Sequence, residues 1–284
     1  MSPLRSGLGK LGLVSSGVHR CTNFRLPPEL LGTFSSFLCP KEPGPGPDEA
    51  PLVFCYVCSF WRRTAINTPR LWQTFSLNTT LHQYLPAHNL SHLFGFWFEN
   101  TAPHPLFLTI NGISSSPSIL PDVLGELVPF ACRFRQLSLS VKDPLALIPF
   151  FDQTHDNFQS LLSLALDAIC EERLELMSRM IAFDAAPCLR TVSVCTEEHL
   201  SPSVWHRFFT QCVNLESGSF TVDWEWVDND GSHADLGSVS YLRLEILKFD
   251  LLADKASVDV VIFNNLKFPN LHTFYLSVRQ SDCA

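Results

Sequence analysis

The chain has 284 residues, 46% of them apolar, which is enough to build a hydrophobic core in one or two domains. It contains no apolar run of about 18 residues, so the sequence excludes a membrane-spanning helix and predicts no membrane partner. Lys and Arg number 20 against 28 Asp and Glu, and residues 78–284 alone carry 12 basic and 24 acidic side chains. Because so acidic a body repels phosphate groups, no nucleic-acid partner is expected.

The cysteines indicate a reducing compartment. There are ten, irregularly spaced, and no charged segment followed by an apolar signal region precedes them, so we expect a cytoplasmic or nuclear protein. Cys55-x-x-Cys58 has the spacing of half a zinc site, but the four ligands that zinc needs are not supplied by a second such pair. His82, His88 and His92 are close in sequence, and the first two fall in a predicted loop. We expect no metal and no cofactor.

Residues 1–23 are predicted to be a disordered tail. They contain Arg5, Lys10, Arg20 and several serines but no acidic residue, a composition also typical of mitochondrial transit peptides. Four glycines and the lack of a sustained apolar face favour the disordered tail.

Residues 24–77 contain two apolar helical patterns joined by a loop. Pro27 and Pro28 suit a first helical turn, and apolar residues recur after them at helical spacing up to Leu38. The loop at 40–51 is rich in proline and glycine, and a second helix is predicted from Leu52 to Asn67. The first part of that helix, LVFCYVC, is apolar on every side, which predicts contacts with two different surfaces.

Several short motifs in this segment occur in a fixed order: Leu26-Pro27-x-Glu29-Leu30, Val57-Cys58-x-x-Trp61-Arg62, Ala65, and Thr68-Pro69-x-Leu71-Trp72. Together they resemble the F-box, in the form common in fungal proteins, over residues 24–72. The resemblance implies docking on a Skp-type adaptor and, through it, on a cullin. Carried over by position, the residues that would shape or contact the adaptor surface are Leu26, Pro27, Leu30, Leu52, Val57, Cys58 and Trp61. The alternative interpretation is a helical cap that only closes the downstream core.

The rest of the chain repeats the pattern apolar-x-x-apolar-x-apolar. Its copies start at residues 72, 105, 134, 161, 189, 215, 244 and 271, and are separated by 33, 29, 27, 28, 26, 29 and 27 residues. The copy at Leu215-x-x-Gly218-x-Phe220 is poorer than the others. Helical patterns lie between copies, at 90–100, 118–132, 171–182, 203–212 and 257–265.

A strand and a helix in every repeat of this length are the signature of leucine-rich repeats. The segments WFENTAPHPLFLTI and FDAAPCLRTVSV also resemble the degenerate repeats that follow F-boxes in fungal proteins. The expected fold class is therefore α/β, with a small helical F-box followed by an irregular leucine-rich-repeat solenoid with a parallel sheet, over residues 73–284. An ordinary doubly wound α/β domain is the alternative.

One acidic and aromatic segment is a candidate target-binding loop. Its acidic side chains would steer a basic partner while its tryptophans anchor it. The alternative is a solvated insertion whose tryptophans pack on one face of a strand. The residues concerned are Asp223, Trp224, Glu225, Trp226 and Asp228.

No G-x-S-x-G, H-E-x-x-H or P-loop pattern occurs, so no enzymatic activity is expected. The F-box resemblance implies a substrate-recognition subunit of an SCF-type cullin ubiquitin ligase, which would bind its adaptor through the F-box and an unknown protein target through the repeats. The alternative is a repeat scaffold that binds proteins outside a ligase and carries a vestigial F-box. An enzyme is the third interpretation.

Overall fold

A computed structural model shows the arrangement of most of the chain. It describes residues 43–78, 87–101, 103–112, 120–142, 144–154, 157–168, 186–199, 208, 211–223, 239–240, 243–253 and 266–280. The predicted tail at 1–23, the first predicted helix and the predicted helices at 171–182 and 257–265 lie outside these residues, as does most of the helix predicted at 203–212.

Eight strands form one parallel sheet, in which each strand lies beside its predecessor in the chain. These strands are β1 (Thr74–Asn78), β2 (Leu106–Gly112), β3 (Phe134–Val141), β4 (Ser163–Ala168), β5 (Thr191–His199), β6 (Ser217–Asp223), β8 (Ile246–Ala253) and β10 (Thr273–Gln280). The two-residue strands β7 (Val239–Ser240) and β9 (Leu266–Lys267) pair separately with each other. A doubly wound domain would reverse its strand order at a switch point, and this sheet runs in one direction throughout.

The apolar repeat positions lie side by side across the sheet. One row consists of Phe75, Leu108, Leu137, Leu164, Val192, Gly218, Leu247 and Phe274. The second row consists of Leu77, Ile110, Leu139, Leu166, Val194, Phe220, Phe249 and Leu276. All eight strand positions predicted from the sequence are therefore confirmed. Since residues two apart on a strand share a face, both rows point to the same side of the sheet.

Helices cover that side. They are α1 (Leu52–Val57), α2 (Ser59–Ile66), α3 (Ala87–Glu99), α4 (Leu120–Gly125) and α5 (Ile148–Thr154), together with 3₁₀ helices at Pro69–Trp72, Val128–Arg133 and Pro144–Leu147. Aromatic rings fill the space between helix and sheet: Phe75 of β1 meets Phe94 and Trp97 of α3 edge to face, with ring centroids 5.3 and 4.9 Å apart. None of the helices in the described part of the chain is long and apolar enough to cross a membrane.

Three helical details differ from the sequence prediction. The helix predicted from Leu52 to Asn67 breaks at Cys58, whose backbone is extended (φ −163°, ψ 172°). The helix predicted at 118–132 is the short α4 followed by a 3₁₀ helix. Helix α5 was not predicted, because Pro144 and Pro149 hid its apolar spacing; both prolines sit where a helical turn begins and no backbone N–H is required.

The poorer repeat copy has a packing explanation. A Cβ on Gly218 would lie 2.7 Å from Cε2 of Phe220, so the Phe220 ring occupies the space of the missing side chain. That ring also stacks on Phe249, at a centroid distance of 5.2 Å, and meets Phe208 edge to face. Gly218 and Phe220 thus fill together the volume that two aliphatic side chains fill in each of the strands β2 to β5.

The first and the last strand of the sheet differ in what covers their outer edges. At the first strand, the amide of Ser76 donates a hydrogen bond to the carbonyl of Pro43 at 2.8 Å, and Pro43, Gly44 and Pro45 are buried against β1. The segment from Pro69 through β1 is the start of the sheet, as predicted. At the other end, β10 pairs with β8 and its apolar residues are largely exposed.

Candidate protein-binding surfaces

Helices α1 and α2 are anchored to the first strand from one side. Leu52, Phe54 and Cys55 of α1 and Ala65 of α2 are buried in the common core. The indole N–H of Trp72, which is fully buried, donates to the carbonyl of Ala65 at 2.8 Å. This hydrogen bond joins α2 to the 3₁₀ helix that leads into β1.

The break at Cys58 is stabilised by a side chain. The Nε–H of Arg62 donates to the carbonyl of Cys55 at 2.8 Å, which satisfies a carbonyl at the end of α1 that no helical amide reaches. The break turns α2 so that Trp61 lies against Phe54, with ring centroids 5.6 Å apart. Trp61 is consequently half-buried behind this ring contact.

The opposite side of the same helices exposes apolar side chains. Tyr56 is 68% exposed and Val57 58% exposed, and Phe60 at the start of α2 is also exposed. These three residues, with the exposed Cys58 between them, form what we call the α1–α2 patch. Clustered exposed apolar side chains of this size mark protein–protein contacts more often than isolated ones do.

Basic residues predominate in the segment that forms the α1–α2 patch. Arg62, Arg63 and Arg70 are exposed, and no acidic residue occurs between residues 50 and 73. The rest of the protein is acidic, so this segment stands out in sign as well as in apolar character. A partner that carries an apolar surface with carboxylates at its rim would complement it.

The predicted adaptor-binding residues occupy three different environments. Val57 and Cys58 lie in the α1–α2 patch, Trp61 is half-buried beside it, and Leu52 is buried beneath it. The residues Leu26, Pro27 and Leu30 lie outside the described residues. The sequence did not indicate Tyr56 or Phe60 as surface residues. The run LVFCYVC is apolar on every side of the helix, and since only one side can pack on the core, this run could have indicated an exposed apolar side.

The half zinc motif is split by the same geometry. Cys55 is buried, where burial raises the pKa of its thiol and the nearby Arg62 lowers it to a smaller extent, whereas Cys58 is exposed beyond the helix break. Within the described ranges, no group of three or more His, Cys, Asp and Glu side chains could hold a metal ion. Of the three histidines close in sequence, the side chain of His92 is described, and it is exposed on α3.

The side of the sheet away from the helices carries short, uncharged side chains along the middle of its first six strands. Its central row, from β1 to β6, consists of Ser76, Thr109, Ser138, Ala165, Ser193 and Ser219. The row continues into Lys248 on β8 and Tyr275 on β10. We call this surface the open face; its small side chains allow another molecule to approach the strands closely.

Polar groups with defined partners border the open face. In the next row the hydroxyl of Ser140 donates to a carboxylate oxygen of Asp167 at 2.9 Å. Near the beginning of the strands Arg190 and Glu216 form an exposed ion pair at 3.2 Å. Exposed ion pairs of this kind add little to the free energy of folding. Both side chains can therefore leave this pair and bind polar atoms of another protein with little loss of stability.

The predicted acidic and aromatic segment begins at the end of a central strand. Asp223 is the last residue of β6 and lies in register with His199 of β5 and Leu252 of β8. The positions of Trp224, Glu225, Trp226 and Asp228 lie outside the described residues. The segment therefore starts at the edge of the sheet where the strands have their carboxyl ends.

The protein has no match among protein-family models, and a comparison with curated proteins finds no similar sequence.

Proposed function

We propose that the protein is the substrate-recognition subunit of an SCF-type cullin ubiquitin ligase. Helices α1 and α2 belong to an F-box that binds a Skp-type adaptor, and the adaptor connects the protein to a cullin. The sheet and the segment after β6 hold a protein target near the transferring enzyme, so ubiquitin transfer is accelerated by proximity. The protein contributes no catalytic residue.

The observation that carries this proposal is the α1–α2 patch. A helical cap that served only to close the core would bury its large apolar side chains, whereas Tyr56 and Val57 are mostly exposed. Residues resembling the F-box motif bracket the patch: Val57 and Cys58 within it, and Trp61 beside it. The exposed arginines around it favour an adaptor surface of acidic character.

The arrangement of the sheet supports the proposed fold, an irregular leucine-rich-repeat solenoid behind the F-box. Its strands follow one another in chain order at intervals of 26 to 33 residues, with two apolar rows in register. Stacked repeats bury a continuous core in this manner, and they leave the side away from the helices open for a partner. The open face is the surface proposed for the target.

The adaptor-binding proposal is tested by co-purification of the full chain with a Skp-type adaptor. Wild-type protein is expected to retain the adaptor, and Val57→Asp is expected to lose it at least tenfold, because a carboxylate would be desolvated in an apolar contact. Val213→Asp is the matched control, since Val213 is an exposed apolar residue on the turn before β6. It is expected to retain the adaptor fully.

The outcomes separate the two functional interpretations. Failure of the wild type to retain the adaptor would overturn the ligase proposal and leave a repeat scaffold with a vestigial F-box. Equal retention by the wild type and Val57→Asp would remove the α1–α2 patch from the adaptor contact. A second variant, Pro27→Ala with Leu30→Asp, then tests the amino-terminal part of the motif. Unfolding curves of each variant show whether a loss reflects binding or misfolding.

The target-binding proposal is tested by proximity labelling with the full chain. Neutralising the acidic segment, with Asp223→Asn, Glu225→Gln and Asp228→Asn, is expected to remove basic targets from the labelled set while adaptor retention stays unchanged. A labelled set identical to that of the wild type would show that the segment is a solvated insertion.

A further inference from the structure

The last strand of the sheet is built like a core strand but is exposed like a surface strand. Phe274 and Leu276 of β10 continue the two apolar rows, and their counterparts on β8, Leu247 and Phe249, are fully buried. Phe274 itself is 50% exposed, and Leu276 is exposed as well. On the open face the neighbouring Tyr275 is 56% exposed. Both sides of this edge strand therefore present apolar surface.

From this we infer that two copies of the chain associate through the outer edges of their β10 strands. The two strands run antiparallel about a two-fold axis, so that two eight-stranded sheets become one continuous sheet. This inference concerns the far end of the sheet from helices α1 and α2, and it does not depend on the proposed ligase function.

The asymmetry of the sheet ends selects a closed dimer. The outer edge of β1 is occupied by the protein's own loop, through the hydrogen bond from Ser76 to Pro43. Edge-to-edge stacking of β10 on β1 of another copy is thereby blocked, which excludes an open-ended filament built from the sheet edges. Pairing of β10 with itself is the symmetric arrangement that remains, and it ends after two copies.

The charge distribution permits this contact. The chain carries a net charge of −8, which repels a second copy. From Thr273 to Ser277, however, β10 has no charged side chain, and the adjacent position on β8, in register with Tyr275, is Lys248. Two β10 edges can therefore approach without placing carboxylates opposite one another, in contrast to the acidic remainder of the molecule.

The side-chain order of β10 also indicates the register. With the two-fold axis at Tyr275, each Phe274 lies opposite the other copy's Leu276 on the core side, and the two Tyr275 rings meet on the open face. A shift of the axis to Leu276 would place Tyr275 opposite Ser277 and leave the ring without an apolar neighbour across the strand. Aromatic pairs across antiparallel strands are stabilising, so the register centred on Tyr275 is preferred.

The size of the contact sets its expected strength. Phe274, Tyr275 and Leu276, with the exposed Ile246 on β8, offer on the order of 400 Å² per copy, given the areas of such side chains. A dimer that buries about 800 Å², with backbone hydrogen bonds between the strands, lies at the weak end of specific interfaces. We expect a dissociation constant of about 10 μM.

Sedimentation of the purified full chain tests the dimer. Between about 1 and 100 μM the wild type is expected to change from monomer to dimer. Tyr275→Asp, which places two carboxylates opposite each other at the axis, is expected to raise the dissociation constant at least tenfold. Val213→Asp makes the same change in an exposed apolar residue elsewhere and is expected to dimerise like the wild type. A wild type that stays monomeric over this range overturns the inference.

Cross-linking tests the register. Tyr275→Cys is expected to form a disulfide-linked dimer under mild oxidation. The two residues at position 275 would form a non-hydrogen-bonded pair of antiparallel strands, whose Cα atoms are about 4.5 Å apart and therefore within reach of a disulfide. Lys248→Cys is the control: it keeps the same native cysteines but lies one strand inward, about 14 Å from its symmetry mate. Equal linkage of the two variants, or dimers that are insensitive to Tyr275→Asp, would show that another surface associates.

Discussion

At the scale of single residues, two buried tryptophans have different hydrogen bonds. Trp72 and Trp97 are both fully buried and meet edge to face, with ring centroids 5.1 Å apart. The N–H of Trp72 donates to Ala65, whereas within the described residues the N–H of Trp97 has no hydrogen-bond partner. Burying a donor without an acceptor costs free energy, so the indole nitrogen of Trp97 weakens the core that its ring fills.

We therefore expect Trp72→Phe to lower the free energy of unfolding by about 1–2 kcal/mol more than Trp97→Phe. Both changes remove the same ring volume from the same cluster, but the first also removes a hydrogen bond and the second removes an unsatisfied donor. Urea-induced unfolding measures the difference. Equal losses, or a larger loss for Trp97→Phe, would contradict this account.

Because of Cys55, the free energy of unfolding is expected to decrease as the pH rises in the alkaline range. Burial raises the pKa of its thiol above the ordinary value of 9.0, so the folded protein holds the proton more tightly than the unfolded chain. The stability gained from the neutral thiol is complete below pH 9.0 and is lost as the pH rises through the folded pKa.

Between about pH 8 and 10.5, wild-type protein is therefore expected to lose more unfolding free energy than Cys55→Ala, by up to about 1.4 kcal/mol for each unit of pKa difference. Cys58→Ala, which removes the exposed neighbouring thiol, is expected to follow the wild type. Parallel pH profiles for the wild type and Cys55→Ala would show that the thiol does not titrate differently on folding.

At the scale of elements, the sequence predicted strands better than helices. A strand of this sheet is specified by its own apolar alternation, and stacking repeats in register requires only that each copy present the same two positions. Even the copy with Gly218 was placed correctly. The helix break at Cys58 could not be predicted, because it depends on the hydrogen bond from Arg62 to Cys55 and on the contact of Trp61 with Phe54, which lie outside local propensity.

The candidate site shows the same limit. Motif resemblance indicated Val57 and Cys58, and both are exposed beside the helix break. It could not indicate Tyr56 or Phe60, since which side of an all-apolar helix is buried is decided by where the helix packs on the sheet. Leu52, which the resemblance also indicated and which lies five residues before Val57 on the same helix, is buried for that reason.

Gly218 provides a test at the level of one strand. Gly218→Ala is expected to lower the unfolding free energy by about 1–3 kcal/mol, because the added methyl group would overlap the Phe220 ring. Gly95→Ala on α3 is the control: nothing lies within 4 Å of the added Cβ, so it should stabilise the helix by about 0.5–1 kcal/mol. Phe220→Leu, added to Gly218→Ala, is expected to recover part of the loss. Additive losses would contradict the shared volume.

At the scale of the whole molecule, the sheet is a one-dimensional array whose stability depends on contacts between neighbours. Central strands are supported from both sides, and the end strands depend on what lies beyond them. At β1 the protein supplies this itself through the Pro43 to Gly46 loop, while at β10 it leaves apolar rows exposed. The two ends should therefore open with different free energies, although both belong to one core.

Amide hydrogen exchange measures this difference directly. The Ser76 amide faces outward from β1 and donates to the carbonyl of Pro43. On β10 the amide of Thr273 donates to Glu245, on the β8 side. Because successive amides of a strand point to opposite sides and Leu276 is three residues further on, the Leu276 amide points away from β8. At a concentration well below the expected dimer dissociation constant, Ser76 should exchange at least about tenfold more slowly than Leu276. Raising the protein concentration should slow Leu276 and leave Ser76 unchanged. Equal exchange at low concentration would mean that the loop does not stabilise the first strand, and exchange of Leu276 that is independent of concentration would mean that no second copy covers the last strand.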